Sequence, residues 1–311
     1  MPSTSPKVSI VTPSFNQGSY IQATINSVQN QNYANYEHII VDGGSTDNTN
    51  AVLSRYPHLV VIQEHDNGQA DAVNKGLRAA TGDILGWLNS DDTYYPGVFE
   101  SVAKVISPKR GIQIVLGRCA YIDEEGNPTG REHPSEFSSH RRMVEIWKDY
   151  TIPQPAVFFH RSVYERCGGL DESLYFALDY DLFLRYSSSF QFHQVNELWA
   201  TYRIHESSKT TEITQGELLE HSLEVSRRYW GSPSSLSYWR YLSSYWLYGG
   251  KLGLASLKEV SKAVRCYQEG KVAAFVWHTT LSLLLFAPTT WRQLVLPTLR
   301  ARLDARRVRC S

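Results

Sequence analysis

The chain has 311 residues, 42% of them hydrophobic, which is enough for one large α/β domain and an appendage. Lys plus Arg and Asp plus Glu both number 31, so the formal charge is zero, the broad basic field of a nucleic-acid binder is missing, and no nucleic-acid partner is expected. The four cysteines, Cys119, Cys167, Cys266 and Cys310, are far apart and include no CxxC pair, which argues against a zinc site or a disulfide framework and for a reducing compartment.

Residues 7–12 form a β-branched run closed by Pro13, and residues 1–7 contain no apolar segment of a secretory signal, so a cytoplasmic location is expected. Residues 19–30 carry Tyr20, Ile21, Ile25 and Val28 at helical spacing. A second strand over 37–41 closes on Asp42-Gly43-Gly44-Ser45, Thr46-Asp47-Asn48-Thr49 reads as the cap of a helix reaching Tyr56, and Leu59–Ile62 reads as a third strand. A third helix over 70–80 leads to the apolar strand 83–88, which runs into Asn89-Ser90-Asp91-Asp92. Four strands alternating with three helices predict a parallel, Rossmann-like sheet with right-handed crossovers.

In such a sheet the ligand sits beyond the carboxyl ends of the strands. That edge would gather Pro13-Ser14-Phe15-Asn16, Asp42-Gly43-Gly44 and Asn89-Ser90-Asp91. Ser-Asp-Asp alone reads as a solvated Asx turn. At a strand end it also suits a hard divalent ion held by carboxylates and substrate phosphates. No GxGxxG or P-loop segment is present, which argues against dehydrogenases and kinases.

Four runs, Val8–Asn16, Ile40–Asp47, Asp66–Gly76 and Leu88–Asp92, resemble in order and spacing the family 2 glycosyltransferases of GT-A fold. Two later ones, residues 151–185 and 202–209, extend the resemblance over roughly residues 7–210. It implies an α/β fold with a mostly parallel sheet flanked by helices: a GT-A domain over 1–210, with a nucleotide-sugar half to about residue 95 and an acceptor half over about 96–210. Residues 211–311 would then form a helical C-terminal extension. It further implies that Thr12, Pro13, Ser14 and Asp42 hold the base and ribose of a nucleoside-diphosphate sugar, and that Asp66, Gly68 and Lys75 line the nucleotide side. Lys75 reads equally as a phosphate or base partner and as a solvated helix lysine.

The metal motif departs from the family's Asp-x-Asp-Asp. Here it is Asn89-Ser90-Asp91-Asp92, so Asn89 and Ser90 fall on the ribose side, with an amide for the first acid, and Asp91 matches the acid that binds Mn²⁺ or Mg²⁺. In Ala177-Leu178-Asp179-Tyr180-Asp181, Leu178 replaces the family's Glu, and Asp179 aligns with the catalytic base. Asp179 is also an ordinary helix-start acid, and Asp181 is a structural candidate. His205 matches a further metal or diphosphate contact, and the loop through Ser207, Ser208 and Lys209 could fold over the diphosphate. The implied reaction is a single inverting displacement on a donor, UDP-linked by family weight, by a hydroxyl of a glycan or lipid-linked acceptor of envelope polysaccharide or glycoconjugate. The rival readings are a degenerate sugar-nucleotide-binding protein, encouraged by Asn89 and Leu178, and a sugar nucleotidyltransferase. The second would need a basic loop after the first strand, which residues 13–18 lack.

From residue 215 the composition changes. A helix is expected over 215–230, a break at 231–235, and then an aromatic helix with Tyr238, Tyr241, Tyr245 and Tyr248 on one face beside Trp239, Leu242 and Trp246, either a packing stripe or a membrane face. Residues 272–287 hold no Lys, Arg, Asp or Glu and precede a tail carrying Arg292, Arg300, Arg302, Arg306, Arg307 and Arg309. That run is short of the ~20 apolar residues a spanning helix needs, so 272–311 is expected to lie at an anionic membrane surface, on the inner face, or to serve as a partner contact.

Overall fold

In the computed structural model residues 5–249 are described, apart from 149, 207 and 210–212. The first half alternates as expected: β1 (Val8–Ser14), α1 (Ile21–Gln29), β2 (Tyr36–Asp42), α2 (Thr49–Leu53), β3 (Val60–Gln63), α3 (Gln69–Ala79) and β4 (Ile84–Trp87). These strands are parallel in the order β3-β2-β1-β4, with Ser14 in register with Asp42 and Val11 with Trp87. Central β1 is buried along its whole length, as a strand covered on both faces must be, whereas edge strand β3 exposes Val60 and Val61. Helix α1 buries Ile21, Thr24, Ile25 and Val28, one stripe at 3.6-residue spacing. Helix α3 packs closely on β1 because Gly76 faces Val11, where any Cβ would overlap the valine methyls.

The second half continues with β5 (Thr93–Tyr94), α4 (Val98–Val105), β6 (Ile114–Ile122), β7 (Pro128–His133), α5 (His140–Val144), β8 (Val157–His160), α6 (Arg161–Cys167), α7 (Leu178–Ser187), β9 (Phe192–Arg203) and α8 (Gln215–Arg227). It extends the sheet to nine strands in the order β3-β2-β1-β4-β8-β6-β9-β5, with β7 hydrogen-bonded to β6. Strand β8 is antiparallel to both β4 and β6, and β9 is parallel to β6, so β6 and β9 point the same way as β1 and β4. Their carboxyl ends therefore open on one edge with those of the first half. Phe99, Phe158 and Trp199 fill the core beneath that junction.

Two local expectations differ. The second helix is only Thr49–Leu53: Asp47 accepts from Thr49 N (2.9 Å) and Oγ1 (2.5 Å) and from Gly18 N (2.9 Å), stitching two loops together instead of capping a longer helix. The apolar run after Thr151 becomes a strand only at Val157, because Pro153 precedes and Pro155 lies within a 3-10 turn over Gln154–Ala156 and a proline has no N–H to give a ladder.

The chain divides into two compact units, Met1–Arg227 and Arg228–Ser311. In the second, α9 (Leu236–Gly249) lays Tyr238, Tyr241 and Tyr245 against Trp230 at centroid distances of 6.1, 6.4 and 6.1 Å, so that stripe is a packing surface there. Among the described residues no helix is long and apolar enough to cross a membrane. The expected surface contact at 272–311, with its arginines, lies outside the described residues.

Candidate active site

Two regions build the site: the loops leaving β1, β2 and β4, and the segment leaving β9. On the first side Thr12 Oγ1 lies 2.9 Å from His38 Nε2 beneath the loop, so its hydroxyl faces the interior. Burial drives the His38 imidazole down to about 3, which keeps it neutral. Pro13 and Ser14 are buried at the strand end, and the Ser14 Oγ has no hydrogen-bond partner. Asp42 is 1% exposed and accepts from Ser45 Oγ (2.5 Å), Ser45 N (2.9 Å) and Gly44 N (3.3 Å), so much of its acceptor capacity holds its own loop. The Asp66 carboxylate lies against Gly43, where a Cβ would strike it, and accepts from Gly68 N at 2.9 Å. Gly68, at φ +109°, starts α3 in a conformation that favours glycine.

Lys75 is brought to this loop but not to the turn after β4. Its ammonium donates to His65 O at 2.8 Å and pairs with Glu64 at 3.2 Å and Asp71 at 3.3 Å, which occupies all three N–H groups.

The turn after β4 is held from several directions. Thr24 Oγ1 of α1 donates to the carbonyls of Ser90 and Asp92, both at 2.8 Å. The Asn89 amide is saturated: Oδ1 accepts from Trp87 Nε1 (2.9 Å) and Gln69 Nε2 (3.0 Å), and Nδ2 donates to Gln154 Oε1 (3.1 Å) and, more weakly, to Asp92 Oδ2 (3.5 Å). Asp92 is 2% exposed and accepts from Arg203 N at 2.9 Å. Burial, and then the neighbouring Asp91 charge, push its carboxyl well above the usual aspartate range. Asp91 is the more open acid, 21% exposed, and its Oδ2 lies 3.0 Å from His205 Nε2.

His205 comes two residues after β9 and is 4% exposed, with its ring centroid 4.5 Å from that of Tyr20. Arg203 fixes this approach. It is 5% exposed, stacks over Tyr20 at 5.4 Å, and donates to Asp91 O (2.8 Å), Glu124 O (2.8 Å) and Asp123 O (3.2 Å).

Asp179 lies in the first turn of α7, after Ala177 at φ +58°, an uncommon left-handed conformation for a residue with a Cβ. Burial raises its carboxyl above the usual range, and the Tyr150 hydroxyl donates to it at 3.3 Å. Lys209 bears on Asp179 electrostatically, and its ammonium donates to Gln69 Oε1 at 3.3 Å. Gln69 in turn donates to Asn89, so hydrogen bonds join Lys209, whose charge is felt at Asp179, to the turn carrying Asp91. Asp181 is paired with Arg185 at 2.8 Å, the structural role open to it.

Asp91 and His205 offer one carboxylate oxygen and one imidazole nitrogen at a single point. Among the described residues no group of three or more His, Cys, Asp or Glu converges as a complete metal shell. A donor set of this kind suits an ion that takes its remaining ligands from diphosphate and water. The sequence reading missed Arg203, Gln69, Gln154, Tyr150 and Tyr20. Only Arg203 carried a visible signal, a lone arginine just ahead of His205 in the 202–209 run.

The Glycosyl transferase family 2 model matches residues 9–168, just over half of the 311-residue chain. A protein of Rickettsia typhi named as an uncharacterized glycosyltransferase is 29% identical over 231 residues, 70% of each chain. Among solved structures, residues 1–349 of S. aureus TarS in complex with UDP-GlcNAc superpose with a TM-score of 0.59 at 14% identity, covering 92% of both chains. The mannosyltransferase PcManGT of Pyrobaculum calidifontis, in complex with GDP-Man and Mn²⁺, superposes with a TM-score of 0.58 at 17% identity, covering 94% of this chain and 89% of that one.

Proposed function

The chain belongs to glycosyl transferase family 2, a GT-A fold, and from that premise we propose that it transfers a sugar with inversion from a nucleoside diphosphate, UDP by family weight, to a hydroxyl of a glycan or lipid-linked acceptor. The observation that carries this reading is the Asp91–His205 pair at the sheet edge, in a turn that Asn89 and Gln69 join to Lys209, whose charge is felt at the Asp179 carboxyl.

In the proposed reaction the acceptor oxygen attacks the anomeric carbon, the bond from that carbon to the diphosphate oxygen breaks, and the hydroxyl proton passes to Asp179. A base at that point contributes roughly 10²–10⁴ in rate. The raised carboxyl of Asp179 is a better proton acceptor, once ionised, than an exposed aspartate would be. Asp91 and His205 would hold a divalent ion, Mn²⁺ or Mg²⁺, and such an ion neutralises charge on a departing diphosphate. Asp42, Asp66 and the backbone of residues 12–14 and 43–45 form the base and ribose end of the cleft. Asn89 and Ser90 shape the turn between the two ends. The apolar and then basic stretch 272–311 is the proposed contact with an anionic lipid surface at the cytoplasmic face.

A second reading, a protein that binds a sugar nucleotide without turning it over, is favoured by the internal commitment of Asn89, the residue in place of the first acid. One experiment separates the two. Purified protein is titrated calorimetrically with a panel of nucleotide sugars with Mn²⁺, Mg²⁺ or EDTA, and slow donor hydrolysis is followed. Binding of one donor with metal-dependent hydrolysis supports the transferase, binding without hydrolysis or transfer supports the second reading, and a folded sample that binds no donor refutes both.

A further inference from the structure

Tyr175 is 62% exposed and stands four residues ahead of Asp179, whose carboxyl accepts the proton in the proposed reaction. Its ring is not loose. Phe176 meets it edge-on at a centroid distance of 4.8 Å, and Phe176 itself rests on His221 of α8 at 5.3 Å. The Lys209 ammonium sits 4.0 Å from the Tyr175 ring centroid, covering one face. The backbone next to the pair is over-determined as well, because Ala177 is held at positive φ immediately before α7. A large ring displayed with more than half its surface in water, yet fixed by a neighbouring ring and a cation, is pre-organised for a partner.

The surroundings narrow the partner. Lys209 and Gln69 meet on one side, and Asp179 follows Tyr175 by four residues across the helix start. A single aromatic face next to an ammonium that is itself bonded to an amide does not suit an acyl chain. It suits a ring that is apolar on its face and polar at its edge. A pyranose is such a ring: axial C–H groups on one face carry slight positive charge and meet the negative face of the aromatic quadrupole, while hydroxyls at the rim seek donors and acceptors.

We propose that the exposed face of Tyr175 is the acceptor subsite, stacking on a pyranose ring whose own or adjacent hydroxyl is presented to Asp179. The acceptor is then a saccharide at its reactive end, whether free or lipid-linked. This inference rests on Asp179 being the base.

The test uses the full chain, with methyl pyranosides of glucose, galactose, mannose and N-acetylglucosamine as probes in saturation-transfer NMR. At least one should receive saturation on the C–H protons of one face. Tyr175→Ala should weaken its affinity roughly fivefold to tenfold, whereas Tyr175→Phe, which keeps the ring, should stay within about twofold of wild type. UDP and GDP binding by calorimetry should be equal in all three proteins, which also reports that the variants fold. No saturation of any pyranoside by the wild-type protein at millimolar concentration, or equal affinities for wild type and Tyr175→Ala, overturns the subsite and leaves sugar transfer untouched. Tyr175-dependent pyranoside binding in a protein that binds no nucleotide sugar overturns the acceptor role together with the transferase reading and leaves Tyr175 as a pyranose-binding site only.

Discussion

Replacing Asn89 with Asp would restore the family's usual acid, and the structure says the change should destabilise the protein. Oδ1 accepts from Trp87 and Gln69, contacts an aspartate keeps. Nδ2 donates to Gln154 Oε1 at 3.1 Å and faces Asp92 Oδ2 at 3.5 Å, and an aspartate turns that donor into a second acceptor aimed at both. Gln154 cannot answer by flipping, because its own Nε2 donates to the Trp87 carbonyl at 2.5 Å. Leaving these groups unpaired costs roughly 1–3 kcal/mol. Two carboxylates at that separation repel by about 5 kcal/mol at an effective dielectric constant near 20, so one takes up a proton and part of the penalty is relieved. A net loss of roughly 2–4 kcal/mol corresponds to about 3–6 °C in melting temperature for a chain of this size. The sign with pH follows from the same pairing. The acid's folded-state affinity for protons is raised, so the variant approaches wild type in acid and falls behind as pH rises through the raised value. Thermal unfolding of both proteins from pH 5 to pH 8 in EDTA reads this directly. An Asn89→Asp protein melting within about 1 °C of wild type at neutral pH would refute the account of why an amide stands here.

Asp179→Asn should keep donor binding and lose at least about 100-fold in transfer rate, measured by single-turnover kinetics. Because burial raises Asp179, the acid limb of the wild-type pH–rate profile should lie above the range of an ordinary aspartate and be absent from the residual activity of the variant. Asp91→Asn should remove the dependence of donor binding on divalent ion, seen by calorimetry with and without EDTA, while leaving the melting temperature within a few degrees of wild type. At the opposite edge of the sheet, Lys7, Ser9 and Thr81 hold Glu37 down to about 2 from an ordinary 4.5. A depressed carboxylate stabilises above its unfolded value and loses that contribution as pH falls through the folded one. Glu37→Gln should therefore cost roughly 2 kcal/mol at pH 7, a value discounted for the solvent screening of Lys7, and nothing near pH 2, by chemical denaturation at each pH.

The first half of the sheet was legible because its signals are local. Periodicity marked the helices, β-branched runs marked β1 to β3 and an apolar run β4, and parallel order alone carried their carboxyl ends to one edge. The second half was legible as motifs but not as a sheet: nothing in residues 157–160 announces that β8 runs antiparallel and thereby turns β6 and β9 to the same edge. Arg203 was missed because its partners are mostly backbone carbonyls, which leave no trace in side-chain chemistry. Lys75 shows the converse. A lysine in the right motif reads as a phosphate contact until its three acceptors, supplied by residues 4 to 11 positions away, are seen to be local.

The same contacts explain how a site made from distant segments can act as one. Asn74 of α3 accepts from Leu170 N at 2.8 Å and donates to Leu170 O at 3.0 Å and to Glu172 at 2.8 Å, so the helix that begins after the Asp66–Gly68 loop also grips the loop leading to Tyr175 and Asp179. Gln69, five residues earlier on that helix, reaches both Asn89 and Lys209. A shift of α3 would therefore move the Asp91 turn and the loop leading to Asp179 together. That common support gives Asn89 a positioning role in the proposed reaction although it lacks the charge of an acid. Its amide ties the Asp91 turn to Gln69, and through Gln69 to Lys209 beside the proposed base, whereas a carboxylate there would keep the tie to α3 only by breaking the one to Gln154.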